Sequence, residues 1–341
     1  MKICIYGAGA IGGFIGTQLA AGGCDVSAVA RGATLDALRA YGMRLQFKDR
    51  LLTAAVRAEE DPAALGAQDV VVIAVKAPAL SGIASRIAPM IGEHTVVLTA
   101  MNGVPWWFFD GFGGKFAGLQ LASVDPGGIV AAAIPSRHVV GCVVHATCSV
   151  SEPGLVRHGF GNRLIIGEPA GGGSEGGNSP RVAALAAQLR DSGFECEISR
   201  GIQYDIWYKL WGNMTMNPVS AFTGATSDRV LDDPLVKDFC QAVMREAAAI
   251  GARIGCPIEQ TPEDRHVVTR KLGAFKTSML QDVESGKPVE IDALLGVVCE
   301  IGQKAGVATP NMDALLGLSR LHARVHGLYP WPLAEAPVRK D

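Results

Sequence analysis

The feature that most restricts this chain lies at its start. An apolar run from Lys2 to Tyr6 passes straight into Gly7-Ala8-Gly9-Ala10-Ile11-Gly12, and this loop opens an alanine-rich helical stretch that reaches about Ala21. Glycines spaced as G-x-G-x-x-G between a strand and a helix have three distinct jobs. Gly7 permits a tight turn, Gly9 lets the backbone approach a pyrophosphate, and Gly12 allows close helix–strand packing, with the helix N-terminus facing the anion. Ala8, Ala10 and Ile11 fill out the same loop. A glycine-rich turn without a ligand can show the same spacing. The flanking strand and helix, and a second expected strand at Asp25 to Ala30, make a βαβ unit and favour dinucleotide binding.

Two further β-branched runs, Val70 to Val75 and Thr95 to Ala100, flank a helical segment around Ala79 to Ile91. This alternation predicts a parallel, doubly wound α/β sheet. From about Gly141 to Gly167 the pattern predicts an antiparallel pair at the sheet edge, turning at Glu152-Pro153-Gly154. A glycine-rich loop follows at 171–180. A helix over Arg181 to Ser192 and a strand over Phe194 to Ser199 then read as one more α/β element, which sets the boundary near Arg200. Beyond it, helical patterns run over Ile202 to Asn217, Pro234 to Ile254, Pro262 to Glu284, Val289 to Ala305 and Pro310 to His326. The expected architecture is an α/β Rossmann-type doubly wound sheet over residues 1–199, followed by an all-helical domain over 200–341. Length agrees with two domains, because single cores stop growing near ~250–300 residues and this chain has 341.

Charge narrows the partners. With 31 Lys and Arg against 33 Asp and Glu, the chain offers no electrostatic footprint for nucleic acid or an anionic membrane, so a small molecule is expected instead. No stretch is long and apolar enough to span a bilayer, and the opening apolar residues are too broken by glycine for a signal peptide. The eight cysteines are scattered through mostly apolar stretches, as suits buried free thiols in a reducing compartment, and the cytoplasm is the expected location. Cys142, His145 and Cys148 suggest a metal site at first sight, but strand alternation puts His145 on the face opposite both cysteines, and no metal is expected.

An NAD-specific fold of this kind usually carries Asp or Glu at the end of its second strand. Here that end reads Ser27-Ala28-Val29-Ala30-Arg31. The arginine offers a planar fork for a 2′-phosphate and a surface for adenine, which points to NADPH/NADP; a solvated loop arginine is the plainer alternative. Lys76, at the end of another parallel strand, also stands where ligands dock on such sheets. In the helical half, Lys209, Asn213 and Asn217 recur every four residues and form one polar stripe rising about 12 Å, opposite Trp207, Leu210, Trp211 and Met214. The solvated side of an amphipathic helix would look similar, yet asparagine is a poor interior helix residue. Pro218 is expected to disturb the helix at Asn217.

With these residues in view, the chain resembles the ketopantoate reductase (2-dehydropantoate 2-reductase) family over nearly its whole length. The resemblance rests on GAGAIGG with Arg31, VKA at 75–77, NGV at 102–104, KLWGNMTMNP at 209–218, TSMLQD at 277–282 and EID at 290–292, in that order. It implies NADPH-dependent reduction of a 2-keto acid, with Lys209 as the general acid that protonates the keto oxygen as hydride arrives. It further implies that Asn213, Asn217 and Ser278 hold the substrate's carboxylate and hydroxyl groups, that Glu290 acts near Lys209 and the reacting oxygen, and that Asn102 stands between cofactor and substrate. The site would then lie in the cleft between the two domains. On the residues alone, Glu290 could merely complement a helix dipole, Ser278 could be a tolerated small residue and Asn102-Gly103 a plain turn. An NADP-dependent dehydrogenase of another keto or imino substrate is the alternative, followed by a non-catalytic NADP(H)-binding sensor.

Two segments depart from the family pattern. Pro105-Trp106-Trp107-Phe108-Phe109 and the glycine-rich stretch after it form an insertion whose aromatics could wall a larger pocket, cap the nicotinamide or pack a subunit interface, the last compatible with a homodimer. The second is the aromatic, proline-rich tail Leu328-Tyr329-Pro330-Trp331-Pro332, which no motif explains.

Overall fold

The computed structural model describes residues 1–169 and 179–331, so the glycine-rich loop at 171–180 falls mostly outside the described residues, as does Pro332. The chain divides into two compact units, Met1–Leu210 with Ile254–Cys256, and Trp211–Arg253 with Pro257–Asp341.

The first unit is built on one sheet. Strand β1 (Lys2–Tyr6), helix α1 (Ala10–Ala21) and strand β2 (Asp25–Val29) form the opening βαβ unit. Helix α2 (Gly32–Tyr41), the hairpin β3 (Met43–Gln46) and β4 (Leu51–Ala54), and strand β5 (Arg57–Glu59) follow, then β6 (Val70–Ile73), α3 (Leu80–Ala84), β7 (Val96–Thr99) and α4 (Ile129–Ala133). The long strands β8 (Val139–Glu152) and β9 (Leu155–Gly167), helix α5 (Pro180–Asp191) and strand β10 (Glu195–Ile198) complete it. The strands run in the order β4-β3-β9-β8-β7-β6-β1-β2-β5, with β10 also pairing β9. From β5 to β8 all neighbours are parallel, and the order reverses at β1, where the chain goes first toward β2 and later toward β6. Ligands dock beyond the carboxyl ends of such strands at that reversal. The central strands are buried on both faces, as parallel sheets demand: Ile5, Val72, Leu98 and Val140 on one face and Cys4, Val71, Val97 and Val139 on the other are almost fully covered.

Strands β8 and β9 pair antiparallel with the expected turn between them, but they do not form the sheet edge. Beyond β9, its first residues take β3 in parallel (Arg44 opposite Leu155) and its last take β10 in parallel (Cys196 opposite Leu164). The sequence pattern of β3 to β5 does not announce them, because their three or four residues each are only partly covered and mix polar with apolar.

The second unit holds helices α7 (Ser227–Asp232), α8 (Pro234–Ile254, of which Ile254 counts with the first unit), α9 (Pro262–Arg270), α10 (Ser278–Glu284), α11 (Val297–Ala305) and α12 (Pro310–Val325), with no strand among the described residues. Helix α6 (Ile202–Thr223) belongs to both units, the division falling after Leu210. Three helical expectations need correction. Helix α6 runs on past Pro218, which sits in its interior, because the flanking turns are held by burial of Met214, Met216 and Val219. The helix expected over Pro262 to Glu284 is two: α9 stops at Arg270, the chain turns through Gly273 at φ +63°, and Thr277 caps α10 by accepting from Leu280 N at 3.2 Å. The pattern from Val289 to Ala305 begins with two residues outside any helix, Val289 and Glu290, and a π-helical turn, Asp292–Gly296, before α11.

Candidate active site

The glycine loop follows β1 directly. Gly7 has φ +97°, a left-handed value that L side chains rarely adopt, and a Cβ there would run into Val75. A Cβ on Gly12 would collide with the Gly7 carbonyl oxygen, so only glycine lets the first turn of α1 lie against the loop. Gly9 differs from both: nothing stands within 4 Å of where its Cβ would be, and it caps α1 with no side-chain hydrogen bond. Open space beside a bare backbone at a helix N-terminus suits a phosphate group. Ala8 lies in this turn, whereas Ala10 and Ile11 are the first two residues of α1 rather than loop.

The other cofactor candidates of the first unit occupy the same end of the sheet. Arg31 follows β2, is exposed, and is the N-cap residue of α2 without a side-chain cap. Lys76 follows β6, and Asn102 follows β7, in a turn whose Gly103 has φ +85°. These strands are adjacent in the sheet, so the glycine loop, Arg31, Lys76 and Asn102 all lie beyond the carboxyl ends of β1, β2, β6 and β7.

Lys209, on α6, joins this group. Its Nζ donates to Asn102 Oδ1 at 2.9 Å and to the Val144 carbonyl of β8 at 2.7 Å. Two residues 107 positions apart, one picked out as a strand end and the other as part of a helical stripe, therefore meet in a hydrogen bond. The Val144 carbonyl was not foreseen, since a backbone acceptor leaves no mark in the side-chain pattern.

The remaining candidates belong to the second unit. Asn213 is half-buried and Asn217 is 5% exposed, both on α6, and the Asn217 amide nitrogen has no hydrogen-bond partner among the described residues. Ser278 is the first residue of α10 and is exposed. Glu290 is half-buried between Val289 and Ile291, both nearly fully covered. The structure thus brings Lys209 and Asn102 together, and it places Asn213, Asn217, Ser278 and Glu290 in the second unit.

The four aromatics of the insertion are buried. Trp106, Trp107, Phe108 and Phe109 are at most 5% exposed, the Phe108 ring lies 6.1 Å from that of Trp207, and a Cβ on Gly141 would strike Trp107. These side chains are core of the first unit, which removes the subunit-interface reading for them.

Models of two families match the chain. That of ketopantoate reductase PanE/ApbA covers residues 3–106, and that of the ketopantoate reductase PanE/ApbA C terminal covers residues 201–323. The chain belongs to the ketopantoate reductase family. It is 44% identical over 330 residues to a 2-dehydropantoate 2-reductase of Mesorhizobium japonicum, covering 96% of this chain and all of that one. A solved structure from Ralstonia solanacearum MolK2, classed among the ketopantoate reductases, is 60% identical, covers 96% of this chain and 99% of its own, and superposes with a TM-score of 0.90. The 2-dehydropantoate 2-reductase of Geobacter metallireducens GS-15 is 25% identical over 94% of this chain and 99% of that one, with a TM-score of 0.82. As a ketopantoate reductase family member the chain is an oxidoreductase with an NAD(P)(H)-binding fold, of the general kind that reduces 2-keto acids. Every candidate residue named above falls inside one of the two matched spans, whereas Trp107 to Phe109 and the tail from Leu328 fall outside both. No group of three or more His, Cys, Asp or Glu among the described residues is placed to hold a metal, and no described helix is long and apolar enough to cross a membrane.

Proposed function

We propose that this ketopantoate reductase homologue reduces ketopantoate, or a bulkier 2-keto acid, to the 2-hydroxy acid with NADPH, and that Lys209 is its general acid. The observation that carries the reading is the pair of short hydrogen bonds from Lys209 Nζ to Asn102 and to the Val144 carbonyl, with Asn102 beyond the same carboxyl end of the sheet that bears the glycine loop. Both partners are acceptors, so they hold the amine as a donor and fix its position on two sides. A bound NADPH supplies a hydride to the keto carbon. Lys209 then has two tasks: to polarise the keto oxygen, and to give it a proton as negative charge develops there, leaving the 2-hydroxy acid and NADP+.

The loop residues fit the cofactor. The open backbone at Gly9 accepts a pyrophosphate, and an exposed Arg31 with no acid at the end of β2 favours a 2′-phosphate over a bare ribose. Lys76, at the end of β6, adds a second cation for the cofactor's phosphates. The second unit supplies the substrate's polar partners in this reading. A buried amide donor left unmade costs about 1–3 kcal/mol, and a carboxylate or hydroxyl held by Asn217, with Asn213 and Ser278, would satisfy it. Glu290 takes part near the reacting oxygen, as the family motif implies.

The test is oxidation of NADPH, with NADH in parallel, against ketopantoate and a panel of bulkier and aromatic 2-keto acids. We expect kcat/KM of roughly 10⁴ M⁻¹s⁻¹ or more with one of them and NADPH. Turnover of imino substrates alone would favour the dehydrogenase alternative. NADPH binding with no turnover of any substrate would favour a sensor.

A further inference from the structure

The tail from Leu328, which the family patterns do not reach, is tied to the segment that carries Glu290. Asp292 lies two residues after Glu290 and opens the π-helical turn. Both of its carboxylate oxygens are engaged: Oδ1 accepts from Arg320 Nη2 of α12 at 2.6 Å, and Oδ2 accepts from the Tyr329 hydroxyl at 2.7 Å. Gly296, the last residue of that turn, leaves room for the pair, since a Cβ there would press on Asp292 Oδ1 and Arg320 Nη2 at 3.0 and 3.1 Å. On the other side of Glu290, Val289 N donates to the Leu328 carbonyl at 3.2 Å. The tail is itself braced. Leu328 N donates to the Ala323 carbonyl at 2.7 Å, the Arg324 guanidinium lies 5.3 Å from the Tyr329 ring, and Arg324 Nε donates to the Pro330 carbonyl at 3.1 Å.

Glu290 is therefore bracketed by two ties, at the residue before it and two residues after it, and both lead to the stretch 320–329. A side chain that must meet a reacting oxygen within a few tenths of an ångström needs such a frame, and a π-helical turn without it would be free to relax toward ordinary α-helix. We propose that Asp292, Arg320 and Tyr329 form a positioning clamp that sets the Glu290 carboxylate for the reaction. The proposal rests on the functional reading above, in which Glu290 takes part. Asp292, Arg320 and Tyr329 touch no reacting atom in it; they act through Glu290.

The experiment uses the full chain and compares Tyr329→Phe, Asp292→Asn and Glu290→Gln with the double variant Tyr329→Phe/Glu290→Gln. Tyr329→Phe removes one oxygen and leaves the Arg320–Asp292 pair intact, so it can be read even if Asp292→Asn fails to fold. We expect kcat/KM for the keto acid to fall on the order of 10- to 100-fold in Tyr329→Phe, with the same division between kcat and KM as in Glu290→Gln. The NADPH dissociation constant should stay within about twofold, and the double variant should be no worse than Glu290→Gln alone, since a clamp has nothing left to position. Full turnover in Tyr329→Phe while Glu290→Gln is impaired overturns the clamp and leaves the functional reading intact. Additive losses in the double variant also overturn it, because they assign the tail a separate structural effect. An unimpaired Glu290→Gln overturns the clamp too, leaving the family activity in place. Absence of turnover by the unaltered chain with every 2-keto acid sinks the functional reading first, and the clamp with it.

Discussion

Lys209 was legible in the sequence as the head of a helical stripe, and Asn102 as a residue just past a Rossmann strand, because each sits at a position that element periodicity defines. Their meeting was not legible, since it depends on how 107 residues of chain return to one place. The structure supplies that contact, and with it a sharper expectation for the residue. Lys209→Ala should lose on the order of 10²–10⁴ in kcat, the range of a general acid, while the NADPH dissociation constant changes little. Single-turnover rates and a separate binding titration would check both halves. Turnover near that of the unaltered chain would remove Lys209 from the mechanism. Asn217 shows the limit of the residue scale: spacing placed it in the stripe, but only the fold shows that its amide nitrogen is buried and unpaired among the described residues.

At the scale of elements, mostly apolar strands and long amphipathic helices could be read from the pattern, and strands that mix polar and half-exposed residues could not. Strands β1, β2, β6 and β7, and helices α8 and α12, come out close to where the sequence pattern puts them, because the strands are nearly unbroken buried runs and the helices repeat one buried face. Strands β3 and β4 are no shorter than β6 and β7 but mix polar and half-exposed residues into their four, so no apolar run stands out, and missing them is what misplaced β9 at an edge. The aromatic run after Asn102 was legible as unusual but not as core, since a buried run and a sticky surface have the same composition. Burial decides. Trp107 is 1% exposed and lies against Gly141, so Trp107→Ala should cost about 3–5 kcal/mol of stability. A chemical denaturation curve would measure it, and a loss below about 1 kcal/mol would mean that the ring carries little of the packing.

For the whole molecule, burial of thiols predicts how stability varies with pH. Cys4, Cys142, Cys148, Cys240, Cys256 and Cys299 are pushed up to about 12, and Cys196 to about 11, in each case by desolvation. An unfolded chain releases the same protons near ~8.5. Below that pH both states keep them and the stabilisation is complete; as pH climbs from there toward the folded values, the unfolded chain deprotonates first and the folded state loses ground. Under reducing conditions the urea midpoint should hold steady from pH 7 to 8 and fall progressively from pH 9 to 10.5. A midpoint unchanged at pH 10 would mean that these thiols ionise in the folded protein. Sequence composition suggested buried free cysteines, and all eight are free, six of them buried; which six could not be read without the packing.

The way β9 finds its neighbours also bears on how the chain is made. Its early residues pair with β3, and Arg44 reaches the Pro153 carbonyl 109 residues away, while its late residues pair with β10, which has yet to leave the ribosome when Gly167 emerges. At roughly 5–20 residues per second, Leu164, Ile165 and Ile166 stand with one strand edge unpaired for on the order of seconds. The nascent chain is then a half-closed sheet offering unpaired backbone N–H and C=O groups to any other unfinished copy nearby, so the passage through residues 168–198 is an interval in which the chain is open to edge-to-edge association.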